Sequence, residues 1–220
     1  MKAKKIFIAL ILFGLTMHVF GQGVGVFATY NIAKQRVVIE GDVQPGNDFT
    51  FYKPLSSLGF ELNYDLELSD NLYGEFGLSY VQKGLKITVE NEGYNPGDDL
   101  FETYKISYLQ IPLHIRYNFE AGDNIYFFGF GGLDLGMAIG GKYLRDDGNK
   151  KSEEALKFGS AARNNYKSGD MGFTIGGGLL FHNFELRVGY NMGLSNIATT
   201  SDEQVSNRVF FAGLGYRFDL

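Results

Sequence analysis

The chain has 220 residues, with 30 glycines, 20 phenylalanines, 14 tyrosines and no cysteine. Its formal net charge of −5 argues against a nucleic-acid partner, because phosphate binding requires a basic face. The lack of cysteine excludes disulfides, thiol catalysis and cysteine-ligated metals.

The N-terminus is predicted to be a cleaved signal peptide. It begins with three bases, Lys2, Lys4 and Lys5. The apolar run Ile6–Leu15 that follows is shorter than the roughly 20 residues of a spanning helix, which disfavours a membrane anchor. Val19 and Gly21 supply the small residues that precede a cleavage site. We therefore assign residues 1–21 to the signal peptide and 22–220 to one domain. Cleavage removes three of the 20 bases and no acid, leaving 17 against 25.

Eight segments of the mature chain alternate in polarity with the period of a β-strand. They are Gly23–Ile32, Leu58–Leu68, Leu72–Ile87, Tyr104–Phe119, Ile125–Ile139, Asp170–Phe181, Phe184–Leu194 and Phe210–Leu220. The alternation is clearest from Leu58 onwards, where apolar side chains such as Leu62 alternate with polar ones such as Asn63. No later apolar stretch is long enough for a spanning helix.

The connections between these segments alternate in length. Three are tight turns, Ser69–Asn71, Ala121–Asp123 and His182–Asn183. Between them lie four long polar segments, Ala33–Ser57, Glu90–Thr103, Lys142–Gly169 and Asn196–Asn207. Short turns on one side and long loops on the other are typical of outer-membrane barrels. The pattern predicts an all-β fold, an eight-stranded antiparallel up-and-down barrel in the cell outer membrane.

Alternation alone does not say which face points inward, and a soluble lipocalin-like barrel is the alternative. Aromatic residues such as Tyr117 and Phe218 cluster near strand ends, as the two interfacial belts of a membrane barrel require. Glycines such as Gly176 and Gly215 fall mainly on the polar face, as a narrow lumen requires. These features favour an apolar face towards lipid and a polar face towards the lumen.

The phase of the alternation slips in Tyr104–Phe119, because Lys105 and Ser107 share the parity of Leu109 and Ile111. Either a bulge lies near Tyr108, or the outer part of this strand rises above the bilayer. We favour the second, since a lipid-facing stretch needs only about 9–11 residues. Pro112 removes a donor from the ladder, which predicts an irregular pairing there.

Two segments carry a resemblance to a known family. Tyr108–Tyr117 reads YLQIPLHIRY and Leu78–Gly84 reads LSYVQKG. They resemble corresponding segments of the PorT-like outer-membrane β-barrel family of Bacteroidetes, although Gln110 stands where an acid is usual. The resemblance implies an outer-membrane barrel with short periplasmic turns. It also raises a role in type IX secretion, but it transfers no functional residue.

The polar face predicts a network of charged side chains in the lumen. Its members are Glu61, Asp65, Glu67, Glu75, His114, Arg116, Asp134, Glu185, Arg187, Arg217 and Asp219, with Lys83 nearby. Eight strands leave an interior only wide enough for side chains. We therefore expect a plugged, acid-rich lumen. The alternative is a narrow path that prefers cations.

We predict no catalytic, cofactor or metal site. Only His114 and His182 remain in the mature chain, and neither has a serine at a spacing that fixes a triad. The segment Lys142–Gly169 has seven bases and four acids, which raises contact with lipopolysaccharide phosphates or an acidic partner, although a solvated loop is the favoured interpretation. The predicted role is membrane-structural or partner-binding, through the outer loops. A component of a secretion or envelope-assembly complex and a narrow pore are the alternatives.

Overall fold

The computed structural model describes residues 22–39, 50–89, 100–148, 150–161 and 164–219. The predicted signal peptide lies outside these residues. Nine strands are present: β1 Gln22–Ile39, β2 Thr50–Ser69, β3 Leu72–Val89, β4 Leu100–Gly122, β5 Ile125–Asp146, β6 Lys151–Ala155, β7 Gly169–Phe181, β8 Phe184–Gly193 and β9 Glu203–Asp219. Within the described ranges, no helix has the length and hydrophobicity to span a bilayer.

Eight of the strands close into a ring, which confirms the predicted fold. Each pairs antiparallel with its neighbours in the chain, and β1 pairs with β9 over Gly23–Ile39 to close it. The short strand β6 pairs with β5 and stands outside the ring. In the three short turns Asn71, Asn124 and His182 have positive φ angles, of 65°, 59° and 53°. Asparagine adopts this left-handed region more readily than most residues, which suits it to two of the turns.

The apolar face of the wall points outward, as predicted. On β2, Leu62 is 51% exposed while its neighbour Asn63 is 1% exposed. The same contrast holds on β8, where Leu186 and Val188 are exposed and Arg187 between them is buried. This arrangement excludes the lipocalin-like alternative, which would bury the apolar face.

The strands run further than the alternation indicates. The predicted loop Ala33–Ser57 begins and ends as strand, and β5 continues to Asp146. These extensions lie beyond the apolar band. There the outward face also carries polar side chains, so polar and apolar residues no longer alternate along the strand. The predicted loops were therefore too long because the polarity pattern, and not the strand, ends at the membrane surface.

The apparent phase slip in β4 comes from the polar outer end of the strand and not from a bulge in β4 itself. Ile106, Tyr108 and Gln110 are all buried, so β4 keeps one parity and its outer end carries polar residues outward. The register between β4 and β5 shifts by one between Ser107 and Tyr108, so the extra residue of the bulge belongs to β5. At Pro112 the β3–β4 ladder is interrupted: its pairs resume at Ser79 with Gln110 after Phe76 with Leu113, without a change of register.

Candidate functional site in the lumen and at the outer mouth

Arg187 of β8 is the centre of a buried ion-pair cluster in the inner half of the lumen. Its guanidinium lies 2.8 Å from Glu61, 3.0 Å from Glu75 and 2.5 Å from Glu185. The Arg187 side chain is 1% exposed, and those of Glu75 and Glu185 are fully buried. Such charges are stable inside a protein only when they are paired and hydrogen-bonded.

Two further arginines complete this inner cluster. Arg116 of β4 donates to Glu185 at 2.7 Å and, through Nε, to Asn118 at 2.8 Å. Arg217 of β9 donates to Glu75 at 2.8 Å and also contacts Asp65 and Glu185. The four carboxylates, from β2, β3 and β8, are thus shared among three guanidinium groups, from β4, β8 and β9.

Phenylalanine rings form the apolar part of the inner cluster. The Arg187 guanidinium carbon lies 4.0 Å from the centroid of Phe27, and that of Arg116 lies 3.9 Å from Phe128. A Cβ on Gly215 would lie 2.0 Å from the Phe27 ring, and one on Gly178 would lie 2.5 Å from the Phe128 ring. The lumen glycines predicted from the sequence therefore make space for aromatic rings, which were not predicted to lie in the lumen.

His114 joins the inner cluster to a second, outer group of polar side chains. Its ring nitrogens lie 3.7 Å from Glu75 and 3.2 Å from Asp134. Asp134 in turn accepts hydrogen bonds from Thr174 and, at 2.8 Å, from Asn191. Polar contacts therefore continue from the inner cluster towards the outer mouth.

The outer group is built on Lys83 and Asp170, whose charged atoms lie 2.9 Å apart with both side chains buried. Asp170 also accepts hydrogen bonds from Ser195 and Asn207, each at 3.0 Å. Asp170 was not among the predicted network residues. Its shared parity with Gly172 and Thr174 was the signal that would have placed it in the lumen.

The structure gathers most of the predicted network residues into these two groups. Those brought together are Glu61, Asp65, Glu75, His114, Arg116, Asp134, Glu185, Arg187 and Arg217. Glu67 is exposed near the β2–β3 turn, so it lies at the mouth of the barrel and not in the buried network. The backbone of Asp219 pairs with Gly23, and its side chain lies outside the described part of the structure.

A cavity of about 40 Å³ separates the two groups. His114, Asp134, Lys83 and Arg187 are among its lining residues. A water molecule needs about 10–15 Å³ on this measure, so the cavity has space for a few waters and none for a larger solute. Gln110 Nε2 also lies at this cavity and has no hydrogen-bond partner among the described residues.

Apolar loop residues cover the lumen at its outer end. Ile197 and Ala198, with Leu156 from the segment after β6, are buried against Ile106 and Tyr108 of β4. Phe158 and Tyr166 pack against the same cluster, and burial raises the pKa of the Tyr166 hydroxyl. We call Leu156, Phe158, Tyr166, Ile197 and Ala198 the outer cap. The predicted solvated loop Lys142–Gly169 is therefore largely structured: it forms the β5–β6 hairpin and contributes to the cap.

Above the outer cap a second cavity, of about 290 Å³, opens outward. Its wall includes Val37 of β1, Leu85 of β3 and Val205 of β9, and Glu203 also lines it. The outer end of the molecule therefore presents an open cup with both apolar and polar walls.

The two segments that carry the family resemblance lie side by side, since Val81 pairs with Tyr108 across β3 and β4. Their buried members include Lys83, His114 and Arg116 of the lumen groups, and Tyr108, which packs against the outer cap. Lumen packing is thus enough to explain why these residue types occur in these segments.

A family model for the outer membrane protein beta-barrel domain matches residues 21–199. No curated protein matches the chain. Among solved structures, Ail of Yersinia pestis is 17% identical, with 91% of this chain and 100% of Ail covered and a TM-score of 0.37. OprG of Pseudomonas aeruginosa is 12% identical over 91% and 97%, with a TM-score of 0.44. The outer membrane enzyme PagL is 13% identical over 86% and 98%, with a TM-score of 0.38.

Proposed function

Because the chain belongs to the outer membrane protein β-barrel family, we propose that it is a non-conducting barrel of the outer membrane whose activity is partner binding at its outer end. One observation carries the proposal: buried ion pairs fill the inner lumen, and the outer cap covers the other end. A solute path would require both to open. The outer end, in contrast, offers a cup with apolar and polar walls and a charged hairpin to other molecules.

The β5–β6 hairpin supports a partner with negative charge, such as lipopolysaccharide phosphates or an acidic envelope protein. Two of its lysines are already engaged, Lys142 with Glu153 at 2.6 Å and Lys151 with Asp146 at 2.8 Å. Arg145, Lys150 and Lys157 are exposed nearby. Exposed bases on an ordered hairpin are available for charge-assisted contacts.

Single-channel recording in planar bilayers tests the closed lumen. We expect no stable conductance steps from the wild-type chain, and an increase in current when Arg187→Ala removes the centre of the inner cluster. Stable wild-type steps would instead favour the narrow pore, and the acid excess of the lumen would then predict cation preference.

Affinity purification from native outer membranes tests partner binding. We expect co-purifying molecules to be lost in a Lys150→Gln, Lys157→Gln double variant and retained in a matched Lys34→Gln variant. Recovery of the barrel alone would contradict the proposal. Recovery with envelope-assembly or type IX secretion components would instead support the PorT-like role that the resemblance implies.

The proposal is non-enzymatic because neither histidine has the surroundings of a catalytic base. His114 is buried between two carboxylates and packs 5.5 Å from Phe130. His182 lies in the β7–β8 turn against Phe181. A test for hydrolysis of phospholipid and lipid A acyl chains by the reconstituted chain should therefore give no product, and turnover that is lost in His114→Gln or His182→Gln would overturn this part of the proposal.

A further inference from the structure

The cup at the outer end of the barrel is large enough to hold a small organic molecule. Part of its wall comes from two directly opposed residue pairs, Val37 with Val205 across β1 and β9, and Leu85 with Tyr104 across β3 and β4. Tyr166 of the outer cap also lines it. The volume of the cup, about 290 Å³, is nearly twice the roughly 150 Å³ of an engineered protein cavity that binds benzene.

Two tyrosine rings form a corner in the wall of the cup. The centroids of Tyr104 and Tyr166 lie 6.4 Å apart, and the planes of the two rings are at 89° to each other. The Tyr143 ring packs against Tyr104 with its centroid 4.8 Å away, and its hydroxyl donates a hydrogen bond to Glu102. The backbone of Tyr166 is held by a β-bridge to Ala198. Both rings are therefore fixed from outside the cup.

Glu203, the first residue of β9, adds a negative charge beside these rings. Among the described residues that line the cup, it is the charged one. Its backbone pairs with Ile39 of β1, and its carbonyl accepts a hydrogen bond from Asn196 at 2.9 Å. Burial raises the pKa of the Tyr166 hydroxyl, and the nearby Glu203 carboxylate raises this pKa further. The carboxylate therefore lies close to the aromatic corner.

The composition of two neighbouring chain segments also favours a positively charged ligand. Residues 40–49 connect β1 to β2, and residues 90–99 connect β3 to β4. Together these two segments contain seven acids and no base. An excess of one charge around a cleft raises the local concentration of solutes of the opposite charge. The cup thus differs from the β5–β6 hairpin, whose exposed bases favour anions.

We propose that the cup binds a small organic cation that carries an apolar group. The ammonium group lies in the corner between Tyr104 and Tyr166, with Glu203 as its counter-ion, and the apolar group packs against Val37 and Leu85. Aromatic rings attract ammonium groups through the negative charge of their faces, and more strongly where water is partly excluded. The proposal rests on the closed lumen proposed above, because the outer cap forms the floor of the cup.

Calorimetric titration of the full chain in dodecyl maltoside, a neutral detergent without ammonium groups, tests the proposal. We expect saturable binding of benzyltrimethylammonium, and weaker binding of tetramethylammonium, which lacks the apolar group. Choline should bind more tightly than 3,3-dimethylbutanol, which has the same shape without the charge. High salt should weaken the binding of both cations, since it screens the attraction to the carboxylate.

Variants of the cup test which side chains hold the ammonium group. Tyr104→Leu and Glu203→Gln should each weaken the binding of benzyltrimethylammonium about fivefold. Tyr104→Phe keeps the aromatic ring and should keep most of the affinity, which separates loss of the ring from a general disturbance of the fold. The matched control is Glu153→Gln, which removes an exposed acid of the β5–β6 hairpin that does not line the cup and should bind as the wild type does.

The proposal is overturned if the wild type shows no saturable binding, or if 3,3-dimethylbutanol binds as tightly as choline. It is also overturned if Tyr104→Phe loses as much affinity as Tyr104→Leu, or if Glu153→Gln weakens binding as much as Glu203→Gln. None of these results would contradict the closed lumen, because conductance tests the lumen separately.

Discussion

The two faces of the barrel wall are stabilised by different kinds of interaction. The lipid face is a continuous apolar surface on which residues such as Leu62, Leu186 and Leu214 are about equally exposed, at 51%, 53% and 62%. The lumen face consists of specific pairs, such as Arg187 with Glu75 and Phe27 beside Gly215. The lipid face therefore needs only a hydrophobic residue at each position, whereas the lumen face needs a particular residue.

Removing Arg187, the centre of the inner cluster, should produce the largest loss of stability. Arg187→Ala leaves Glu61, Glu75 and Glu185 without their shared partner, and breaking a buried ion pair in this way costs about 3–5 kcal/mol. The control is Val188→Ala on the lipid face, which should cost less than about 2 kcal/mol for the two groups removed. Equilibrium unfolding in urea with lipid vesicles measures both. Equal losses would contradict the contrast between the faces.

A charge introduced at neighbouring positions tests the direction of the faces. Leu62→Arg places a cation in lipid and should destabilise the barrel by about 2–4 kcal/mol if the residue lies near the midplane. Asn63→Arg points into an acid-rich lumen, near Glu61 and Asp65, and should be milder despite its crowding. Folding yield into vesicles gives the ranking, and the reverse order would invert the assigned faces.

Filling a glycine position tests the lumen packing. A Cβ on Gly215 meets the Phe27 ring at 2.0 Å, so Gly215→Ala should cost about 1–3 kcal/mol through overpacking. Leu214→Val on the lipid face is the matched control and should cost less. In a double-mutant cycle, Phe27→Ala should cancel much of the Gly215→Ala loss. Purely additive losses would show that the ring is not the obstacle.

The smallest effect concerns the hairpin beyond the membrane. A hydrogen bond from Lys151, with a second from the Gly148 amide, lowers the pKa of the Asp146 carboxyl. Because this pKa is lower in the folded state, the contact between Asp146 and Lys151 stabilises the hairpin at pH values above the pKa of the unfolded state. This stabilisation is lost as the pH falls through the pKa of the folded state. NMR titration of the Asp146 carboxyl should show the lowered pKa, and Lys151→Gln should return this pKa towards its ordinary value. Global stability should not change, as is usual for exposed pairs.

The sequence predicts the wall better than its two ends. A period of two places Leu62 and Asn63 on opposite faces, and the order of short and long connections predicts the meander. The outer cap could not be predicted, because Leu156 and Ile197 are single apolar residues in polar segments without periodicity. Their burial depends on loop folding that brings together residues distant in the chain.

The membership of the lumen network was also easier to predict than its pairing. Parity alone assigns Glu75, Arg187 and Arg217 to the inner face. The pairing of Arg217 with Asp65 depends on how the strands are staggered around the closed ring, which no single strand encodes. The phenylalanine rings were missed for a related reason, since their packing depends on glycines in neighbouring strands.

The seam between β1 and β9 leads us to expect that ring closure is a late and decisive step in folding. Arg187 and Arg217 come from the last two ring strands, yet their partners Glu61, Asp65 and Glu75 come from β2 and β3 on the other side of that seam. These ion pairs close loops of more than 100 residues, such as the 152 that separate Arg217 from Asp65. They form only once the ring closes. An open sheet therefore gains none of this stabilisation, and closure is the step that commits the chain to its native state and slows its escape from it.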